Sequence, residues 1–330
     1  MNILITGITG LIGKHVAYKL VNVGGYTIKG QYFSSKDLQY FYDNQIALVQ
    51  ADINRKDSLD NICQDADVIV HTAARVIDFG TKEDFYQTHY FATQYLLEDA
   101  AKHRVKHFIY LSSIGVASGI DRTKGLPDET TPLVKTGVLY DDVKIDTEQL
   151  VIDFCIQNNI AYTIVRPSAV VGPGSVWVKE PIERKLYKEF FPLINNGRKS
   201  ACLLDARNLA EGIYSIITND VAKNNIYYFM DDFTEITWRQ YFTDLLNMVH
   251  QKPSLSIPYF IIYPVAVLME MAANLRNTKP VIAKKSLSVL GTNRLVNTKK
   301  AKEELGFRSV YQYADTIQYI NDWVKKHYKI

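Results

Sequence analysis

The sequence predicts an α/β protein with a doubly wound parallel sheet and a smaller, mostly helical C-terminal lobe. Through residues 1 to about 170, short apolar runs rich in β-branched residues alternate with amphipathic helical patterns, which is typical of βαβ units. A glycine-rich turn follows the first of these runs. After Val171 the pattern changes to longer, aromatic helical segments, which indicates a separate lobe.

The pattern predicts strands and helices in strict alternation through the first half. The strands are Asn2–Thr6, Tyr26–Tyr32, Ile46–Ala51, Val68–His71, Phe108–Ser112 and Tyr162–Val165, with two later ones at 201–204 and Ile226–Phe229. The helices are 11–22, 36–43, 55–64, 82–103, 141–158, 181–192, 207–218, 237–250, 259–275 and 311–327. The loop "GPGS" marks the change of pattern, so we divide the chain into 1–172 and a substrate-binding lobe, 173–330, with some segments of the lobe returning to the sheet.

Composition and charge argue against several classes of function. The chain has 330 residues, 47% of them apolar, and a formal charge of only +3, which favours a soluble protein that does not bind nucleic acid. The three cysteines and seven histidines show no metal-ligand spacing, so we expect no metal site and a reduced, cytoplasmic compartment. The start "MNILITG" enters a strand directly and predicts no signal peptide.

One apolar segment, 257–275, raises the question of a membrane. Its uninterrupted apolar run, Tyr259–Met269, is shorter than the about 20 residues that span a bilayer, and it is followed by Glu270. We therefore expect a helix that covers the substrate pocket with Val267 and Met271. Peripheral membrane contact stays open as an alternative, and so does a homodimer.

The stretch "ILITGITGLIGKHVAYKL" predicts a dinucleotide-binding loop. Gly7 permits a tight turn after the strand, Gly10 lets the backbone approach a pyrophosphate at a helix N-terminus, and Gly13 lets helix and strand pack closely. The alternative is a tight turn without a ligand.

The end of the second strand bears on the choice between NAD and NADP. A site for NAD usually places an acid there to bind the ribose hydroxyl groups. Here Phe33 and Ser34 follow the strand, then Lys36, and Asp37 comes too late. We therefore predict a preference for NADP over NAD, although Lys36 is also typical of a solvated helix start.

Several ordered motifs together resemble the extended short-chain dehydrogenases/reductases, the NAD(P)-dependent epimerase/dehydratase family, whose fold is of the Rossmann type. The resemblance covers nearly the whole chain and is closest to the branch of 3β-hydroxysteroid dehydrogenases and dihydroflavonol reductases. The motifs are "TGITGLIG", "DVIVHTAA", "FIYLSSIGVAS", "LYDDVKIDTEQLV", "IVRPSAVVGPGS" and "KAKEELGF".

The resemblance implies three catalytic residues. Tyr140 and Lys144 lie one helical turn apart, and the ammonium would favour the phenolate and bind the nicotinamide ribose. Ser113 would donate to the substrate oxygen, whereas Ser112 is a strand-end residue. Without the family motifs, a Tyr-x-x-x-Lys pair is equally typical of a solvated helix face.

The resemblance also implies the cofactor site and shows where this chain departs from the family. The implied cofactor residues are Thr6, Gly7, Thr9, Gly10, Leu11, Ile12, Gly13, Phe33, Ser34, Lys36, Asp52, Ile53, Thr72, Ala73, Ala74, Tyr140, Lys144, Pro167 and Val170. His89 and Ala92 stand where the family often has Asn and Gly, and Leu139 precedes the tyrosine where Pro is common. We expect His71 and His89 to be structural.

The function that these residues imply is hydride transfer between nicotinamide and a ketone or secondary alcohol on an apolar or ring-bearing molecule. The alternative enzyme is a sugar-nucleotide epimerase or dehydratase with retained NAD. Its diphosphate site would use basic residues of the lobe: Arg184, Lys185, Arg198 and Arg207. A non-catalytic dinucleotide-binding regulator is a third possibility, but the presence of both Tyr140 and Lys144 argues against it.

The aromatic residues of the lobe, among them Trp177 and Trp238, are typical either of a ring-binding pocket or of a core.

Overall fold

The computed structural model describes residues 1–34, 38–74, 80–276 and 284–329. The strands are β1 (Asn2–Thr6), β2 (Thr27–Tyr32), β3 (Ala47–Gln50), β4 (Val68–His71), β5 (His107–Leu111), β6 (Ala161–Pro167), β7 (Ala169–Val171), β8 (Leu193–Ile194), β9 (Leu203–Asp205), β10 (Asn225–Phe229) and β11 (Ser256–Ile257). The helices are α1 (Leu11–Val23), α2 (Gln39–Asp43), α3 (Lys82–Phe85), α4 (Ala92–Lys102), α5 (Leu139–Gln157), α6 (Val176–Leu186), α7 (Ala206–Thr218), α8 (Trp238–Asn247), α9 (Tyr259–Arg276), α10 (Lys284–Gly291), α11 (Lys299–Leu305) and α12 (Tyr313–Tyr328).

Seven parallel strands form the central sheet, in the order β10-β6-β5-β4-β1-β2-β3. The strand order reverses at β1, which lies between β2 and β4, and doubly wound sheets bind ligands at the carboxyl ends of the strands beside such a reversal. The fold class predicted from the alternating pattern is confirmed. β10 comes from the second half of the chain and pairs with β6, so that half does contribute to the central sheet.

Apolar layers cover both faces of the sheet. On one face, residues of α1 and α7 such as Leu20 and Ile213 pack against β1 and β10. On the other face, Leu97 of α4 and Val151 of α5 pack against the neighbouring strands. A third apolar cluster around Trp238 holds the lobe together, so the lobe has a core of its own.

The helix predicted at 55–64 is wrong. Only Lys56–Leu59 forms a short 3-10 turn, and Asn61 and Asp65 have positive φ. The buried carboxylate of Asp99, on α4, accepts hydrogen bonds from the backbone N–H groups of Asn61 (3.1 Å) and Cys63 (2.8 Å). A tertiary contact thus satisfies backbone donors that a helix would otherwise have bonded internally.

The lobe helix predicted at 181–192 begins earlier, at Val176, and Pro181 lies inside it. Proline has no N–H, so the carbonyl of Trp177, four residues earlier, loses its partner within the helix. The hydroxyl group of Tyr241, on α8, donates to this carbonyl oxygen at 3.2 Å. A side chain of the neighbouring helix therefore makes an internal proline tolerable.

The apolar segment forms α9, and none of the described helices is both long and apolar enough to cross a membrane. Its exposed side chains include Phe260, Leu268 and Met271, and Glu270 forms an ion pair with Lys284 of α10 at 3.2 Å.

Replacing Tyr241 with Phe should lower the free energy of unfolding by about 1–3 kcal/mol, because the Trp177 carbonyl loses its buried donor. In a Pro181→Ala background the same change should cost less, since the alanine N–H can donate to that carbonyl. Urea unfolding of the four proteins measures the difference. An equal loss in both backgrounds would show that the hydroxyl group does not compensate for the proline.

Candidate active site

A cavity of about 350 Å³ lies at the carboxyl ends of β1, β4, β5 and β6. The lining residues from the strand-end side are Gly10, Leu11, Ile12, Thr72, Ala74, Ser112, Ser113, Ile114, Gly115, Tyr140, Asp141, Pro167, Ser168, Ala169 and Val170. Those from the lobe side are Gly174, Ser175, Val176, Trp177, Glu180, Ser200, Ala201, Cys202, Trp238, Ser286, Val289 and Arg294. The cavity therefore lies between the sheet and the lobe.

The glycine loop has the geometry that a dinucleotide requires. Gly7 has φ +65°, and a Cβ atom there would lie 2.8 Å from the Cα atom of Ala73. A Cβ atom at Gly13 would lie 2.5 Å from the Gly7 carbonyl oxygen, so α1 packs directly on the turn. Gly10 lines the cavity and is the N-cap residue of α1, but it has no side chain to accept hydrogen bonds. The backbone N–H groups at the start of α1 can therefore donate to a ligand. The loop thus fits a pyrophosphate.

Hydrogen bonds hold the turn behind this loop. The side chain of Gln31, on β2, accepts from the Gly7 N–H at 2.9 Å. The Thr72 hydroxyl group donates to the Thr6 carbonyl oxygen at 2.7 Å, which joins the ends of β4 and β1. The loop is therefore fixed from both neighbouring strands.

His71 is buried at the end of β4, and both of its ring nitrogen atoms have partners within the protein. Its Nδ1 atom lies 2.7 Å from Thr6 Oγ1 and its Nε2 atom 3.1 Å from Thr93 Oγ1. Burial and the nearby Lys144 ammonium lower the pKa of His71 to about 3, so the ring is neutral.

The two neighbouring serines after β5 have different partners. The Ser112 hydroxyl group donates to the Glu148 carboxylate at 2.5 Å. Ser113 Oγ accepts from the Gly115 N–H at 3.0 Å, so its own hydroxyl proton can be donated to a ligand. Since Ser113 lines the cavity beside Tyr140, it can hold a substrate oxygen, whereas Ser112 is bound to the protein interior.

Lys144 is buried one helical turn after Tyr140 and is not among the residues that line the cavity. Its Nζ atom donates to the Leu111 carbonyl oxygen at 2.8 Å and to the Tyr110 hydroxyl oxygen at 3.1 Å. Burial raises the pKa of Tyr110 well above its usual value, so this phenol stays neutral. Tyr110 and the Leu111 carbonyl group thus fix the ammonium of Lys144, one helical turn after Tyr140.

A buried ion pair lies in the protein interior next to Ser112. Arg166 of β6 and Glu148 of α5 are joined by three bonds of 2.6 to 3.2 Å, and both side chains are 3% exposed. Arg166 also donates to the Tyr228 hydroxyl oxygen at 3.0 Å. With Ser112, the pair connects β5, α5, β6 and β10.

His89 lies on a π-helical turn, Tyr86–Phe91, between α3 and α4. It is buried, its ring stacks on Phe85, and it meets the Tyr140 ring edge-on with 5.5 Å between centroids. The residue that replaces the family's usual Asn therefore contacts the tyrosine through its ring.

The structure places the predicted cofactor residues differently relative to the cavity. Gly10, Leu11, Ile12, Thr72, Ala74, Tyr140, Pro167 and Val170 line the cavity. Gly7, Thr9 and Ala73 lie in the turns that follow β1 and β4, Thr6 ends β1, and Gly13 lies in the first turn of α1. Phe33 and Ser34, after β2, are exposed, and Asp52 and Ile53 follow β3, where Asp52 Oδ1 accepts from the Asn54 N–H at 3.0 Å. Lys144 lies behind Tyr140, and Lys36 lies outside the described residues.

Two expectations about the lobe are corrected. No described residue of α9 lines the cavity, and Met271 is 60% exposed, so the wall comes from α10 through Ser286 and Val289. α10 intervenes because it packs directly on α9, where Gly291 faces the Tyr259 ring.

The basic residues considered for a diphosphate also lie away from the lining. Arg184 and Arg207 form ion pairs with Glu180 (2.8 Å) and Asp205 (2.7 Å). Lys185 donates to Ser254 at 3.2 Å, and Arg198 is exposed.

Sequence reasoning missed Asp141 and Arg294. Arg294 is 4% exposed and lines the cavity, with Nη1 3.7 Å from Asp141 Oδ2. Asp141 adjoins the Tyr-x-x-x-Lys pair and could have been inferred from its position. Arg294 stands in "GTNRLVNTKK", which has no motif around it and gives no such signal.

Comparison with known proteins identifies the family to which the chain belongs. The model of the NAD dependent epimerase/dehydratase family matches residues 3–228. The 3beta-hydroxysteroid-dehydrogenase/decarboxylase isoform 2 of Arabidopsis thaliana is 23% identical in an alignment of 301 residues that covers 83% of this chain. The alignment spans only about half, 51%, of that relative. The decarboxylating sterol-4-alpha-carboxylate 3-dehydrogenase of Candida albicans is 26% identical over 98% of both chains. The fold is similar to that of dTDP-glucose 4,6-dehydratase from Streptomyces venezuelae with NAD bound, with a TM-score of 0.79 at 19% identity, over 100% of this chain and 98% of that one.

Replacing Arg166 with Met should lower the free energy of unfolding by about 3–5 kcal/mol, because the Glu148 carboxylate is left buried without its counter-charge. The matched control is Arg184→Met, which removes a partly exposed i,i+4 pair and should cost about 1 kcal/mol or less. Urea unfolding measures both. Equal losses would show that the buried pair does not constrain the site.

Proposed function

Because the chain belongs to the NAD dependent epimerase/dehydratase family, we propose that it is an NAD(P)-dependent oxidoreductase. It transfers a hydride between nicotinamide and a ketone or secondary alcohol on an apolar or ring-bearing small molecule. The observation that supports this proposal most strongly is that Ser113 and Tyr140 line the same cavity as the glycine loop.

In this proposal the start of α1 and Gly10 hold the pyrophosphate, and Pro167 and Val170 line the nicotinamide side. The dinucleotide, when bound, accepts or supplies the hydride. The Ser113 hydroxyl group donates a hydrogen bond to the substrate oxygen and so fixes the position of the substrate. Tyr140 takes the proton of that oxygen or returns it, and the ammonium of Lys144 behind it favours the phenolate.

The chemistry of the lining supports an apolar substrate. The surface of the cavity is mainly apolar, and Leu11, Val176, Trp177 and Val289 contribute to it on both sides. The names of the plant and yeast relatives describe dehydrogenases of hydroxysteroids and sterol carboxylates, which are ring-bearing alcohols. A ring-bearing secondary alcohol or its ketone is therefore the substrate class that we propose.

The sugar-nucleotide alternative has less support. Structural neighbours include a sugar-nucleotide dehydratase, but at 19% identity this likeness concerns the fold. The four basic residues of the lobe that could have held a diphosphate do not line the cavity. A screen of ring ketones, secondary alcohols and nucleotide sugars distinguishes the two. The absorbance of NADH and NADPH reports oxidoreductase turnover, and chromatography of the products reports epimerisation or dehydration, which leaves no net change in the cofactor. Turnover of nucleotide sugars alone would refute the proposal.

Replacing Tyr140 with Phe should abolish turnover of whichever substrate the screen identifies, because no other group of the proposed set moves the proton. Cofactor affinity should stay within a few-fold. The exposed Tyr187→Phe serves as the control and should leave the rate unchanged. A Tyr140→Phe protein with near-normal activity would rule out the proton-transfer role.

We also propose that NADP binds more tightly than NAD. Among the described residues that follow β2, Phe33 and Ser34, there is no acid to bind the ribose hydroxyl groups. Titration of tryptophan fluorescence with both cofactors measures the two dissociation constants. Equal or tighter binding of NAD would show that this turn does not select the phosphate.

A further inference from the structure

Exposed apolar side chains are concentrated in two segments of the lobe, 186–190 and 255–271. Nearly half of the large apolar residues that are exposed in the described part of the chain belong to them, and we call this set the lobe apolar surface. Its members are Leu186, Tyr187, Phe190, Leu255, Phe260, Ile261, Tyr263, Val265, Leu268 and Met271. A concentration of exposed apolar side chains indicates an interaction site, whereas single exposed ones do not.

α9, which supplies most of this surface, is apolar on two opposite faces. Its inner face packs through Ile262 and Ala266 on β8 and α10. On the outer face, Ile261, Val265 and Leu268 follow the i, i+4, i+7 spacing of one helical face and are 51%, 40% and 66% exposed. A surface helix normally carries polar residues on its outer face, so the outer face of α9 has the composition of one that is covered.

The only charged residue between Tyr259 and Ala273 is Glu270, and it is bound to α10. Its carboxylate accepts from the backbone N–H of Lys284 at 2.6 Å and lies 3.2 Å from the ammonium of the same residue. Lys284 therefore neutralises this charge. The outer face of α9 can thus enter an apolar medium without carrying an unpaired charge with it.

The segments next to the start of α9 extend the apolar face. The Ser254 N–H donates to the Phe191 carbonyl oxygen at 2.9 Å, and β11 pairs with β8. These bonds join the segment of Phe190, which is 52% exposed, to that of Leu255, which is 81% exposed. Since α9 begins two residues after β11, the two side chains adjoin the helix start.

Positive charge adjoins the lobe apolar surface. Segments 185–190 and 251–258 contain three lysines, Lys185, Lys188 and Lys252, and a single acid, Glu189. Lys188 and Lys252 are exposed. An apolar helix face beside an excess of lysine complements an anionic bilayer, which offers acyl chains and phosphate groups at one surface. A second copy fits less well, because a twofold interface places the same surface on both sides and brings these lysines together.

We propose that the lobe apolar surface docks on a bilayer that contains anionic lipids, with α9 lying in the plane of the interface and not spanning it. α10 packs on the inner face of α9 and lines the cavity through Ser286 and Val289. Docking therefore brings this wall of the cavity near the acyl chains, where apolar molecules accumulate. An apolar substrate then enters the cavity from the lipid; this last step alone rests on the proposed function.

Flotation of the full chain with lipid vesicles measures docking without turnover. Vesicles of phosphatidylcholine with about one third phosphatidylglycerol are compared with vesicles of phosphatidylcholine alone. The chain should partition onto the anionic vesicles at least about tenfold more strongly, and added salt should reduce this difference. Lys252→Gln should weaken partition onto the anionic vesicles about fivefold and onto the neutral ones little.

Leu268→Ser should weaken partition onto the anionic vesicles about tenfold, because the contact of one leucine with lipid is lost. The matched control is Ile156→Ser on α5, whose side chain is 63% exposed against 66% for Leu268, and it should partition like the wild type.

Equal partition of the wild type onto both kinds of vesicle, or equal losses in Leu268→Ser and Ile156→Ser, would overturn the proposal. A wild-type dimer in analytical ultracentrifugation that Leu268→Ser dissociates would assign the surface to a second copy instead. The wild-type comparison decides the matter by itself if a variant does not fold. A chain that floats with anionic vesicles but turns over no ketone or alcohol would refute the proposed function and leave the docking intact.

Discussion

The relative positions of the proposed catalytic groups depend on the buried pair of Glu148 and Arg166. Glu148 lies two helical turns after Tyr140, and Arg166 immediately precedes Pro167 on β6. A buried ion pair adds little to the free energy of folding compared with apolar residues of the same size, whereas a single buried charge without its partner is costly. The pair therefore acts mainly to fix the position of α5 relative to β6. The Ser112 hydroxyl group donates to the same Glu148 carboxylate, so the end of β5 cannot move relative to α5 without breaking this hydrogen bond.

The parts of the site that follow from local sequence were predictable. The turn at Gly7 requires a positive φ, and the packing at Gly13 leaves no room for a Cβ atom, so glycine spacing identifies both. The strand ends follow from β-branched runs, and each strand end places its next residues at the same edge of a parallel sheet. The strand pattern places Ser113 at this edge, whereas Tyr140 lies on α5 and is assigned to the same site only by the resemblance to the family.

The parts that depend on contacts between distant segments were not predictable. The segment at 55–64 has a helical pattern, but Asp99 bonds its backbone from another element. The helix through Pro181 requires the hydroxyl group of Tyr241, some sixty residues later. Arg294 lines the cavity beside Asp141, which comes some 150 residues earlier in the chain. In each case the residue that determines the local structure is remote in sequence, and the hydrophobic periodicity of a segment gives no information about such a contact.

The π-helical turn before α4 changes how this chain should be aligned with its relatives. Such a turn holds one residue more than an α-helical turn, which rotates everything before it by roughly 100° relative to the helix that follows. It is this offset that presents the His89 ring to the edge of Tyr140. Matching residues by order alone equates His89 with the family's asparagine, but a relative whose helix is regular here would show a different side chain to its tyrosine. Equivalence at this position is thus a matter of helical phase and has to be established from superposed backbones.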